Sequence, residues 1–169
     1  MITIRNFITT DTDTVKHIMT LCTSELRAVY KPKPKSETIL TSHSLSNTRV
    51  VAVDDADTVI GVAEYITQEV DLYVQGVAVL PTHRRRGVAR TLLGHIATLA
   101  IDFGLPALSV VTIKETGNVE IFESLGFIVV EERTSDRFVG IQGQPVTELV
   151  TKKHLPLNMC ADLSVFIST

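Results

Sequence analysis

Val77-Ala78-Val79-Leu80-Pro81-Thr82-His83-Arg84-Arg85-Arg86-Gly87-Val88-Ala89-Arg90 is the stretch from which the chain is best read. Its apolar opening suits the end of a strand, Pro81 stops that strand, three arginines form a turn, and Gly87 starts a helix. The helix is the clearest in the sequence. Val88, Leu92, Leu93, Ile96, Leu99, Ala100 and Phe103 make one apolar stripe over residues 87–103, and Gly104 ends it. The first backbone N–H groups of a helix have no partner inside it, and the helix dipole favours an anion there. Gly87 and Ala89 keep bulk away, so a phosphate can approach the backbone at this turn.

Upstream, Ile2, Ile4 and Phe7 read as a first strand, and Thr10 with Asp13 as a capping box. Val15, Ile18, Met19, Cys22 and Leu26 follow at helical spacing. Lys31-Pro32-Lys33-Pro34-Lys35 breaks that helix and reads as a solvated linker, and residues 36–45 as a short second helix. Residues 49–54 and 58–68 form two strands around a hairpin turn at 54–57, and 71–80 form the next. Downstream come a buried strand over 107–113, a short helix over 118–125 closed by Gly126, and strands over 127–130 and 145–152. This order implies an α+β domain with a mixed sheet, residues 1–154, followed by a tail, residues 155–169, whose apolar residues leave a homodimer open.

The 169 residues suit one core, with 44% hydrophobic and 21% charged residues. A net charge of −3 and the lack of an aromatic platform beside the arginines argue against nucleic acid as a partner. Cys22 and Cys160 form neither a zinc pattern nor a disulfide framework, so no metal is expected. No apolar run is long enough for a membrane helix and the N-terminus lacks a signal-peptide pattern, so the expected location is cytoplasmic.

Arg84-x-x-Gly87-x-Ala89 resembles the pyrophosphate-binding signature of the GNAT N-acetyltransferase superfamily, (Gln/Arg)-x-x-Gly-x-(Gly/Ala). Ile121-Phe122-Glu123-Ser124-Leu125-Gly126-Phe127 is similar to the family's segment ending in Tyr-Glu-x-x-Gly-Phe. The resemblance covers roughly residues 2–154 and implies a GNAT-like, mostly antiparallel sheet flanked by helices. It implies acetyl-CoA as cosubstrate and an amine-bearing acceptor, a small molecule or a peptide. Val77, Ala78 and Val79 would then meet the pantetheine, and Arg84, Arg85, Arg86, Gly87, Val88, Ala89 and Arg90 the pyrophosphate. Phe122 stands where the family has the tyrosine that protonates the leaving thiolate, and phenylalanine cannot donate. This departure keeps open a CoA-binding module with little turnover. The family's asparagine position falls on Glu115, while Asn118 reads either as a helix N-cap or as a cofactor contact.

Strand alternation places Asp71, Tyr73, Gln75, Val77 and Val79 on one face, which makes Asp71 and Tyr73 the candidate catalytic residues. Glu64 is a further carboxylate on the neighbouring strand, and the five histidines show no triad spacing. The lysines of 31–35 border the region that meets the acceptor in the family.

Overall fold

The computed structural model describes residues 1–34 and 47–156. The expected helix over 36–45 and the tail beyond residue 156 lie outside them. The elements are β1 (Thr3–Asn6), α1 (Thr12–Leu26), β2 (Tyr30–Pro32), β3 (Thr48–Val53), β4 (Val59–Thr67), β5 (Leu72–Val79), α2 (Val88–Asp102), β6 (Ala107–Ile113), α3 (Val119–Ser124), β7 (Ile128–Gly140) and β8 (Pro145–His154). All eight strands join one sheet in the order β1-β3-β4-β5-β6-β8-β7-β2. Every pairing is antiparallel except that of β5 with β6, so the fold is the expected mixed, mostly antiparallel α+β domain.

Apolar side chains cover both faces of the sheet. On one, Val50, Ile60, Leu72, Val74, Leu108 and Val110 pack under the α2 stripe of Val88, Leu92, Leu93, Ile96 and Ala100. On the other, Val51, Val53 and Val62 meet Val15 and Ile18 of α1. Gly61 brings α2 close to β4, since a Cβ there would lie 2.8 Å from Cγ1 of Val88.

The local expectations differ from the structure in three places. Asp11, rather than Thr10 with Asp13, organises the approach to α1. Its carboxylate accepts from Ile8 N at 2.9 Å and pairs with Arg5 at 2.7 Å. The start of the Lys-Pro segment is not a free linker but an edge strand. Tyr30, Lys31 and Pro32 pair with Gly140, Val139 and Phe138, and an edge tolerates the missing N–H of Pro32. β7 runs on to Gly140, well past Val130, because β8 pairs along it and β2 closes its far end.

Candidate active site

β5 and β6 are hydrogen-bonded only where Leu72, Tyr73 and Val74 meet Leu108, Ser109 and Val110. Beyond that they part. Leu80 N donates to Ile60 O across the β5–β4 ladder at 2.9 Å. By alternation, the backbone groups of Val77 and Val79 point away from β4 into the gap. The Val79 carbonyl accepts there from Arg84 Nε at 3.3 Å and from Cys22 Sγ at 3.6 Å.

A β-bulge corrects the expected strand face. Glu64 pairs with Gly76 but Tyr65 with Val74, so Gln75 is the extra residue and reverses the alternation. Val77 and Val79 therefore pack with Leu72 and Val74 on the α2 face. Tyr73 and Asp71 do not share it.

The turn after β5 is built for an anion. Arg84 is extended, Arg85 has φ 60°, and Gly87 has φ 83° as the N-cap of α2. Left-handed residues alternating with ordinary ones curl successive N–H groups inward, and α2 adds the unpaired N–H groups of its first turn. No side chain caps that end. A Cβ on Gly87 would meet no atom within 4 Å, so its requirement is conformational.

Two cavities flank the gap. The larger, about 440 Å³, is lined by Val77, Val79, His83, Arg84, Arg85, Gly87, Val88, Ala89 and Arg90, with Cys22, Glu25 and Leu26 of α1 across from them. The second, about 290 Å³, is lined by Tyr30, Tyr73, Gln75, Thr112, Thr116, Arg137 and Phe138 among others. Leu26, Val77, Asn118 and Phe122 line both, so the cavities meet at these four residues. The turn after β5, the free edge of β5 and the α3 residues thus line two adjoining cavities, and the N–H donors of that turn suit an anionic group such as the pyrophosphate of acetyl-CoA.

Among the residues expected here, Ala78 turns to the α1 side with Leu80, and Arg86 lines neither cavity. Asp71 is buried and also lines neither. One carboxylate oxygen lies 3.3 Å from Lys152 Nζ, and the other has no partner among the described residues. Glu64 is paired with Arg49, and Glu115 accepts from Thr147 N at 3.0 Å, so both are engaged elsewhere. Asn118 is the N-cap residue of α3, as one reading expected, but its side chain makes no cap bond, and it lies where the cavities join. Phe122 is half-buried, with its ring edge-on to Phe127 at 5.8 Å.

Sequence reasoning missed Cys22 and Glu25 as site residues. Their helical spacing marked one as core and gave the other no role, because the turn they meet lies some sixty residues away. Arg84 holds Glu25 with its two terminal guanidinium nitrogens, Nη1–Oε1 3.1 Å and Nη2–Oε2 2.8 Å. That hydrogen-bonded pairing raises the Arg84 pKa above its ordinary value. Arg137 and Phe138 were missed because the sequence pattern ended β7 too early.

Among the described residues, no group of three or more His, Cys, Asp or Glu is gathered for a metal, and no helix is long and apolar enough to cross a membrane. Curated protein sequences give no match. Among solved structures, the ribosomal-protein-S18-alanine N-acetyltransferase of Escherichia coli aligns at TM-score 0.66 and 21% identity, over 93% of this chain and 96% of that one. A GNAT superfamily phosphinothricin acetyltransferase of Sinorhizobium meliloti, in complex with acetyl-CoA, aligns at 0.69 and 18% identity, over 91% and 88%. A GCN5-related N-acetyltransferase of Kribbella flavida aligns at 0.68 and 19%, over 91% and 98%. The sequence model of the Acetyltransferase (GNAT) family matches residues 14–127, more than half of the chain. The chain therefore belongs to the GNAT acetyltransferase family, enzymes whose cosubstrate is acetyl-CoA.

Proposed function

We propose that the protein transfers the acetyl group of acetyl-CoA to a primary amine of a small molecule, with residues 1–154 as the catalytic domain and the cytoplasm as its place of work. The observation that carries this reading is the junction of the two cavities at Leu26, Val77, Asn118 and Phe122. A cosubstrate in the larger cavity and an acceptor in the smaller one would meet there. The smaller cavity, about 290 Å³, suits a small acceptor better than a folded one.

Bound acetyl-CoA supplies an activated acyl group on a thioester. The N–H groups from Arg85 to Arg90 hold the pyrophosphate, with Arg85 and Arg90 adding charge. Val77 and Val79 pair with the pantetheine through their gap-facing backbone groups. The Val77 N–H is the donor for negative charge developing on the acetyl oxygen. The amine nitrogen bonds to the acetyl carbon, the carbon–sulfur bond breaks, and the sulfur leaves as thiolate.

No Asp, Glu or His is among the described residues lining the smaller cavity. The amine proton therefore leaves to water, which the Tyr73 hydroxyl orients. Asp71 supports the sheet through Lys152. With Phe122 in place of a donor, the Asn118 amide N–H at the junction of the cavities hydrogen-bonds to the leaving thiolate, which then takes its proton from water.

A thiol-release assay against a panel of small amines, run beside calorimetric titration with acetyl-CoA, tests the reading. Acetyl-CoA binding with amine-dependent thiol release is expected. Binding without release from any amine would favour a CoA-binding module, the alternative that Phe122 raises.

A further inference from the structure

The smaller cavity has one charged residue among its described lining, Arg137. The rest is apolar, aromatic or neutral, including Tyr30, Tyr73, Phe122 and Phe138. An amine acceptor thus meets no opposite charge there. A pocket with a single cation and no anion instead favours a negatively charged group on its ligand.

Arg137 is held ready for such a group. Its guanidinium carbon sits 5.3 Å from the centre of the Phe138 ring. Its Nε and Nη2 reach Oε1 of Glu148 at 3.3 and 3.2 Å. Nη1 makes no hydrogen bond among the described residues, and the side chain is 59% exposed. Glu148 is 2% exposed and divides its charge, since it also accepts from Ser135 Oγ at 2.9 Å and Arg133 Nε at 3.0 Å. Glu131 touches Arg133, and among the described residues no carboxylate other than Glu148 pairs with Arg137. One edge of a fixed guanidinium thus stays free for a second carboxylate, the partner whose geometry it matches.

We infer that the acceptor is an amine that also carries a carboxylate, an amino acid with an apolar or aromatic body, and that Arg137 binds the carboxylate while the amine reaches the cavity junction. This rests on the reading of the smaller cavity as the acceptor site.

The test compares phenylalanine with phenylalaninamide, which keeps the amine and ring but loses the negative charge. Binding to the full chain saturated with CoA is measured by titration, and acetylation by thiol release. The acid should bind at least about tenfold more tightly than the amide, the effect of a charge-assisted hydrogen bond. Arg137→Gln should bring that ratio close to one, and Arg137→Lys should restore part of it. Arg133→Gln, which touches the same Glu148 from outside the cavity, should keep the ratio, and melting curves show that each variant folds. Equal binding of acid and amide, or a preference that survives in folded Arg137→Gln, would overturn the inference. An acid that binds through Arg137 but is not acetylated, while other amines release thiol, would also overturn it; thiol release from no amine at all would instead refute the acetyl-transfer reading and leave the carboxylate site standing.

Discussion

Arg84 and Glu25 close a bidentate ion pair, 2.8 Å at its shortest, that ties the end of α1 to the start of the turn after β5. The same Arg84 covers the carbonyl of Val79. One cation of the anion-binding turn is therefore already matched by a carboxylate across the larger cavity. Both side chains are more than a third exposed, so the pair adds little stability, roughly 0–1 kcal/mol.

Glu25→Gln should leave the melting temperature within a few degrees of the parent and tighten acetyl-CoA binding several-fold. The gain should fade with added salt, because it arises from an unmatched positive charge near the phosphates. Titrations at low and high salt measure it. Weaker binding in the variant would mean that the pair shapes the cavity rather than neutralising it.

Gly87→Val should bind acetyl-CoA much more weakly while keeping the fold. Gly87 has φ 83°, a region that costs a side chain about 1–2 kcal/mol and is worst for a β-branched one. Relief of that strain would rotate the N–H groups out of the turn. Calorimetry on a folded variant with unchanged affinity would remove the turn from the cofactor site.

Tyr73→Phe and Asp71→Asn should differ in kind. Tyr73 lines the smaller cavity and orients the water that takes the amine proton, so loss of its hydroxyl should lower kcat/KM severalfold and leave the acidic limb of its pH profile in place. Asp71 pairs with Lys152 beyond the cavities, so Asp71→Asn should lower the melting temperature and leave that limb in place. If Asp71→Asn instead abolishes the limb, Asp71 is the base despite its position.

Phe122→Tyr places a hydroxyl at the junction of the cavities. Phe122 is half-buried, so the hydroxyl can reach water or the leaving sulfur. Single-turnover acetyl transfer should rise, well short of the ~10²–10⁴-fold of a well-placed general acid. Thermal melting on the same protein should be little changed. A lower melting point with no gain in rate would make Phe122 a core residue only.

Acid stability should depend on Glu148. Burial pushes its carboxyl up, but the hydrogen bond from Ser135 and the pairing with Arg133 and Arg137 outweigh this and leave it below the ordinary 4.5. A lowered folded value means that folding favours the ionised form. That contribution is complete above the unfolded chain's value and is lost as the pH falls through the folded one. Melting temperatures from neutral pH down to about pH 3 should fall less steeply for Glu148→Gln than for the parent. Parallel curves would show that Glu148 carries no folding-linked proton.

Features that depend on near neighbours were legible in the residue pattern alone. The stripe from Val88 to Ala100 is a helix because its period is local, though Phe103 is its exposed C-cap and not part of the buried face, and Arg84-x-x-Gly87-x-Ala89 marks a tight turn and a helix start because both are set within a few residues. The hairpin at Asp54 and the order of the β3, β4, β5 and β6 strands were legible for the same reason. The remaining features depend on pairing between distant segments. The bulge at Gln75, which sends Tyr73 and Val77 to opposite faces, exists only as a mismatch between β5 and β4, and no alternation within one strand reveals it. Tyr30–Pro32 became a strand because β7 offered it an edge, whereas its own prolines argue for a loop. Glu25 faces Arg84, and Arg137 borders the smaller cavity, across separations that local propensity cannot span. The chain encodes the turn after β5 in adjacent residues, but it assembles the smaller cavity from strand register and packing.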